Sequence, residues 1–151
     1  MRDTPKPDDS TLLTRARDDY FRYNGFSERA YKGSWVRIKI GPLPVWLPNF
    51  PARQRAVVLH DLHHIATGYD TTFLGETEIA AWELGSGCRN YVGAWVLNIG
   101  GVAGGILLAP RRTWRAFLRG RRSTNLYQLG FNEEWLKGTV GQLRRRLGLL
   151  A

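Results

Sequence analysis

Apolar side chains recur at intervals of three and four along most of this chain, and that spacing predicts a mainly helical protein. Leu12, Leu13, Ala16 and Tyr20 mark a first helix over Thr11 to Tyr23, behind a polar, proline-bearing segment, residues 1–10, expected to be a loose tail. Trp35, Ile38 and Ile40 stand among Val36, Arg37 and Lys39 in a partly alternating run, followed by Gly41-Pro42 and a second apolar stretch ending at Leu47-Pro48. That pattern predicts a short N-terminal β-hairpin. Pro51 suits the first turn of a helix entered from Asn49 or Phe50, and Gly68 suits its end, so a helix is expected over Pro51 to Thr67. Past the loop Tyr69 to Thr72, a further helix of Phe73 to Leu84 is expected to close at Gly85. The stretch from Glu133 to Leu150, with Trp135, Leu136, Val140, Leu143 and Leu147, reads as a terminal amphipathic helix whose Arg144, Arg145 and Arg146 mostly face outward. Together these elements give one compact helical domain over residues 11–151.

Tyr91 to Ala109 breaks the amphipathic pattern, because it holds no charge over nineteen residues. It is long enough to cross a hydrocarbon core of about 30 Å. Its glycines, spaced four apart at Gly100 and Gly104 and again at Gly101 and Gly105, permit close backbone approach but weaken an isolated helix by up to ~1 kcal/mol each. A buried core helix lining a pocket, a surface-inserted segment and a true span are the three readings, in that order of preference.

Composition narrows the class. With 151 residues, 43% hydrophobic and 23% charged, the chain is neither disordered nor fibrous. Its single cysteine, Cys88, excludes a disulfide framework and a cysteine-based zinc finger, and favours a reducing compartment. Met1 to Ser10 lacks the pattern of a secretory leader, so a cytoplasmic protein is expected. The net charge of +9 is uneven: residues 77–151 carry 11 basic side chains against 4 acidic ones. Arg111, Arg112, Arg115, Arg119, Arg121 and Arg122 crowd together, and no carboxylate occurs between Leu84 and Asn132. Such a cluster, next to the uncharged run, favours contact with an anionic membrane face. Trp114, Phe117 and Tyr127 lie nearby, but no recognition motif accompanies them, so nucleic acid ranks last among the partners.

The chemistry concentrates in one place. All three histidines fall in Leu59-His60-Asp61-Leu62-His63-His64. At about 100° per residue, His64 lies about 40° and Asp61 about 100° from His60 on one helical face, while His63 lies about 60° to the other side. Two imidazoles four residues apart can chelate a divalent ion with little backbone adjustment. His63 is read as a structural imidazole. Glu76, which follows His64 after eleven intervening residues and lies near the start of the next helix, can turn back toward the pair. His60, His64 and Glu76 then make a two-histidine, one-carboxylate site between consecutive helices, with Asp61 as a fourth ligand or a group that fixes an imidazole. Asp61 and Glu76 are the candidate catalytic carboxylates. Glu83, seven residues beyond Glu76, is a candidate for the layer behind the ligands. Arg53, seven before His60, is a candidate anchor for an acidic ligand group over the ion, and Tyr69 in the linker a candidate contact for the same ligand.

The same residues carry a family resemblance. His60-Asp61-Leu62-His63-His64 followed by eleven residues and Glu76 resembles the signature of the coenzyme Q (ubiquinone) biosynthesis protein 4 family, and Thr67-Gly68-Tyr69-Asp70-Thr71, Gly75-Glu76 and Gln142 to Leu149 are similar to its linker and closing helix. The likeness is concentrated in Pro51 to Glu83. It implies a mostly helical fold, a metal held by His60, Asp61, His64 and Glu76, a lipid-accessible cavity, peripheral membrane association, and a part in replacing the ring carboxyl of a polyprenyl-hydroxybenzoate by hydroxyl within a biosynthetic complex or homodimer. The chain departs from the pattern in its shortness and in the proline-bracketed Pro44-Val45-Trp46-Leu47-Pro48.

The expectation is therefore a metal-dependent enzyme of lyase or oxygenase type acting on a prenylated aromatic or related lipid, with zinc, iron or manganese as the ion. Iron or manganese would permit redox chemistry, and zinc only Lewis-acid chemistry. A zinc hydrolase with Asp61 as base and a non-catalytic lipid or quinone-precursor carrier are the alternatives.

Overall fold

The computed structural model describes residues 6–25, 33–40, 43–130 and 132–150. The chain is mainly helical: α1 (Leu13–Asn24), α2 (Pro51–Thr67), α3 (Phe73–Ser86), α4 (Val92–Leu108), α5 (Pro110–Arg121), a single turn α6 (Leu126–Leu129), a 3-10 turn (Glu133–Lys137) and α7 (Val140–Arg146). The backbone of β1 (Trp35–Ile40) pairs antiparallel with β2 (Leu43–Pro48), Trp35 opposite Pro48; the residues joining them lie outside the described ones.

Local chemistry explains the ends that position the site. α2 starts with Pro51 in its first turn, where a missing N–H costs nothing, and stops at Gly68, whose φ of 76° suits glycine and whose N–H donates to the His64 carbonyl. α3 starts at Thr72, whose hydroxyl accepts from the Gly75 N–H at 3.2 Å. Gly85 does not stop α3, contrary to expectation. The helix runs on to Ser86, and Gly87 with φ 91° follows it. Gly85 serves closeness instead: a Cβ there would stand 2.4 Å from the Phe117 carbonyl oxygen, and one at Gly120 would stand 2.2 Å from that of Trp82.

α3 is the central element, with α4 and α5 laid against it. The glycines of the uncharged run do the same work for α4. A Cβ at Gly101 would meet the Ala80 side chain at 2.6 Å, and one at Gly105 would meet Thr113 at 2.4 Å and Thr77 at 2.9 Å. The small-residue spacing thus seats α4 on helices of its own chain. No helix among the described residues, the 17-residue α4 included, is long and apolar enough to cross a membrane.

On the other side of α2 lies the apolar core, where Leu13, Leu59, Leu62, Ile65, Trp82, Leu126, Val140, Leu143 and Leu147 are buried. Each contributes about 1.5–3 kcal/mol by leaving water. The terminal amphipathic helix proves to be two pieces. Thr139 and Gln142 form a reciprocal capping box that starts α7 afresh, so Gly138 falls between the 3-10 turn and the helix. The chain start is tied to this point. Leu13 N–H donates to the Gly138 carbonyl and Val140 N–H to that of Thr11, both at 2.9 Å. Residues 6–10, expected to be loose, join the same contact: Gly141 N–H donates to the Asp9 carbonyl, and Arg144 reaches Asp9 Oδ1 at 2.6 Å and the Ala66 carbonyl at 3.0 Å. Arg144 therefore turns inward, unlike its two neighbours' expected placement.

Candidate metal centre

Three of the four expected ligands come together. His60 and His64 project from the last two turns of α2, and Glu76 reaches across from the first turn of α3. Their ligand atoms lie within 4.8 Å of one another. His60 Nε2 stands 3.1 Å from His64 Nε2 and 3.3 Å from Glu76 Oε2, while His64 Nε2 stands 3.4 Å from Glu76 Oε1. Donors about 2.1 Å from a shared tetrahedral ion stand about 3.4 Å apart, close to the spacing these atoms have.

Hydrogen bonds behind the rings decide where their protons sit. His64 Nδ1 faces the Tyr69 carbonyl at 2.9 Å, which only an N–H can satisfy, so in the neutral ring its Nε2 carries a lone pair. His60 Nδ1 likewise donates to Glu83 Oε1 at 2.9 Å. With both rings neutral, two imidazole lone pairs and a carboxylate converge, and a cation between them, a metal ion or a proton on His60 Nε2, holds such a set together.

Glu83 is the hub of the layer beneath. Its Oε1 also accepts from His63 Nδ1 at 2.6 Å, and its Oε2 accepts from Asn98 Nδ2 at 2.7 Å and from the Tyr127 hydroxyl at 3.1 Å. Burial alone would raise this carboxyl. The facing His60 charge and the hydrogen bonds from His60 and His63 outweigh burial and hold it well below the usual carboxylate range. Burial lowers the His63 pKa, and its Nε2 accepts from the Leu126 N–H at 2.9 Å, so His63 is a neutral structural imidazole, as expected. For His60, burial is outweighed by the Glu83 charge and by hydrogen bonds to Glu76 and Glu83, which raise it well above its ordinary value. Glu76 is held low in turn, burial being overcome by His64 and His60. The shifts of His60, Glu76 and Glu83 pair positive charge on the imidazole side with negative charge on the carboxylates, while that of His63 keeps it neutral.

Access is one-sided. The Glu76 side chain is 44% exposed whereas that of His64 is 1% exposed, so the centre is open at Glu76 and closed at α2. A cavity of about 540 Å³ between α1 and the end of α2 reaches Tyr20, His64 and Tyr69.

The remaining expected residues fall elsewhere. Asp61 is buried and accepts from the Tyr20 hydroxyl at 3.4 Å, outside the cluster; about 100° from His60, it points at α1 rather than α3. It acts at one remove, since the Tyr20 ring stacks on His64 with centroids 5.8 Å apart. Arg53 donates to Asn49 Oδ1 at 2.8 Å at the start of α2. Tyr69 contributes its carbonyl to His64, and the Arg119 guanidinium covers its ring at 5.2 Å. Sequence reasoning missed Asn98, Tyr127 and Tyr20. Asn98 did carry a signal, as the one amide in the uncharged run Tyr91 to Ala109.

Comparison of the chain with protein families, with curated proteins and with solved structures found no match.

Proposed function

We propose that His60, His64 and Glu76 hold one divalent metal ion, and that the protein uses it on a prenylated aromatic or related lipid, in the manner expected of the coenzyme Q biosynthesis protein 4 family. The observation that carries the metal is the convergence of two imidazole Nε2 atoms and a carboxylate at 3.1–3.4 Å, each imidazole having its other nitrogen committed as a donor. When bound, iron or manganese would supply redox chemistry there, and zinc would polarise a substrate oxygen. The protein's own groups do the rest: Glu83 and the Tyr69 carbonyl orient the two rings, Glu76 guards the open side, and Tyr20 forms a wall of the cavity beside His64.

Three protein donors leave coordination positions for water or substrate, which favours an enzyme over a carrier with a closed structural ion. The hydrolase alternative loses support because its base, Asp61, lies against Tyr20 rather than over the centre.

Elemental analysis of protein purified without added metal tests the ion. About one equivalent per chain is expected in the natural protein, and under a tenth of that in His64→Ala and Glu76→Gln. Equal content in all three, or none in any, overturns the site. Mass spectrometry of co-purified lipid tests the substrate class, and an exclusively water-soluble ligand would refute it.

A further inference from the structure

The C-terminal end of α2 is held by two arginines from distant helices. Arg144 of α7 donates to the Ile65 and Ala66 carbonyls at 3.5 and 3.0 Å, and Arg119 of α5 donates to that of Thr67 at 3.1 Å. Three consecutive carbonyls that a helix leaves without an internal partner are satisfied in this way, and positive charge stands where the helix dipole favours it. The two guanidinium groups differ in what meets their other side. Arg144 reaches Asp9 Oδ1 at 2.6 Å, so its charge is matched. Arg119 covers the Tyr69 ring at 5.2 Å, and among the described residues no carboxylate pairs with it.

The imbalance extends along α5. Arg115, Arg119 and Arg122 follow at intervals of four and three, so at about 100° per residue they fall within about 60° of one line. With Ser123, Gly148 and Leu149 they border a groove of about 380 Å³, within the range of about 300–1,000 Å³ that small-molecule sites occupy. The Ser123 hydroxyl donates back to the Arg119 carbonyl at 2.9 Å and closes the end of the helix. Within this arginine cluster, among the described residues, only Arg112 pairs with a carboxylate, Glu78. The dipole of α5 offers roughly half a negative charge at this end, far less than three guanidinium groups bring. An exposed arginine is ordinarily balanced by solvent. Three along one wall of a concave site, one of them fixed by the chain on its far side, are arranged in advance for a polyanion.

We propose that this groove binds the phosphate group of a small water-soluble molecule through Arg115, Arg119 and Arg122, the phosphate standing to Arg119 as Asp9 stands to Arg144. Phosphate suits the groove better than a carboxylate does. A phosphate monoester brings a charge of about −1.5 to −2 and three acceptor oxygens, enough to engage several guanidinium groups at once, whereas a carboxylate matches the fork of one. The groove uses none of the candidate metal ligands, so the site stands if the centre holds no ion. It does share a support with that centre: Arg119 braces the turn from Thr67 to Tyr69, and the Tyr69 carbonyl accepts from His64 Nδ1.

Calorimetric titration of the full chain with inorganic phosphate and with glycerol 3-phosphate, at constant ionic strength and with or without EDTA, tests it. Saturable binding of about one equivalent per chain is expected for both probes, unchanged by EDTA. Arg115→Glu/Arg122→Glu and Arg119→Met are each expected to weaken it at least about tenfold. Arg111→Glu/Arg121→Glu removes as much charge as the first pair at exposed positions outside the groove, and should change affinity by less than about twofold. Should Arg119→Met misfold, the two exposed pairs carry the test between them. No saturable binding, an equal loss in both pairs, or a loss in EDTA, which would send the phosphate to the metal, would each overturn the proposal. Capture by phosphatidylserine vesicles with no response to either soluble probe would overturn it as well.

Discussion

Between α2 and α3 two carboxylates, three imidazoles and an amide are gathered largely out of water, whereas α4 sends its valines and isoleucines into it. The two regions depart from the ordinary partition of residues in opposite senses, and the partners explain both. Both oxygens of the buried Glu83 carboxylate have donors within the chain, from His60, His63, Asn98 and Tyr127. Along α4 the outward apolar side chains are left in water. A polar group buried without a counterpart costs about 1–3 kcal/mol, and an apolar face left wet forgoes about 25 cal/mol per Å². Selection would tolerate either only for a ligand or a surface.

The sharpest way to break this contrast is at Glu83. Glu83→Leu would take the shared carboxylate acceptor from His60, His63, Asn98 and Tyr127, and a loss of about 3–5 kcal/mol in denaturant stability is expected. The same carboxylate sets the acid limb. Its folded pKa lies below the ordinary 4.5, so with metal removed by chelator its contribution is complete above that pH and drains away as pH falls below it. Glu83→Gln should flatten that limb; an unchanged acid limb would show that Glu83 is not the buried charge.

A smaller effect separates the converging lone pairs from an ordinary polar cluster. A divalent ion at a hundred times its dissociation constant should raise unfolding free energy by about 2.7 kcal/mol, seen as a higher melting temperature, and should do nothing for His64→Ala. Next come the glycines. Gly120→Ala drives a Cβ into the Trp82 carbonyl and is expected to cost about 1–3 kcal/mol in thermal melts. Gly100→Ala meets nothing within 4 Å and should stabilise by about 0.5–1 kcal/mol, through helix propensity alone. Equal costs at the two positions would remove the distinction between a glycine seated against a neighbouring backbone and one that faces outward.

The ends of α2 were legible because Pro51 and Gly68 act through local backbone chemistry. The pairing of His60, His64 and Glu76 was legible because helical spacing and a short linker leave few arrangements. Gly85 misled because a glycine that ends a helix and one that admits a neighbouring backbone look alike in a sequence; only the packing of α5 distinguishes them. Asp61 misled for a related reason. Its 100° offset is compatible with the ligand face, but α1 supplies Tyr20 on that side, and nothing in the motif encodes α1. The break at Gly138 went unseen because the apolar spacing continues across it while the capping box depends on two side chains meeting. Tyr127 lies 44 residues from Glu83, beyond the reach of any local pattern.

Asn98 gives α4 a mechanical duty as well as a seat. Its amide hangs on Glu83 at 2.7 Å, and the same carboxylate grips His60 at 2.9 Å. The path from the oily outer stripe to the imidazole crosses only one amide and one carboxyl group. Sliding α4 by a single residue's rise, about 1.5 Å, would therefore snap that link or drag the ring of His60 with it. The seating of an outer helix and the aim of a buried nitrogen are one adjustment.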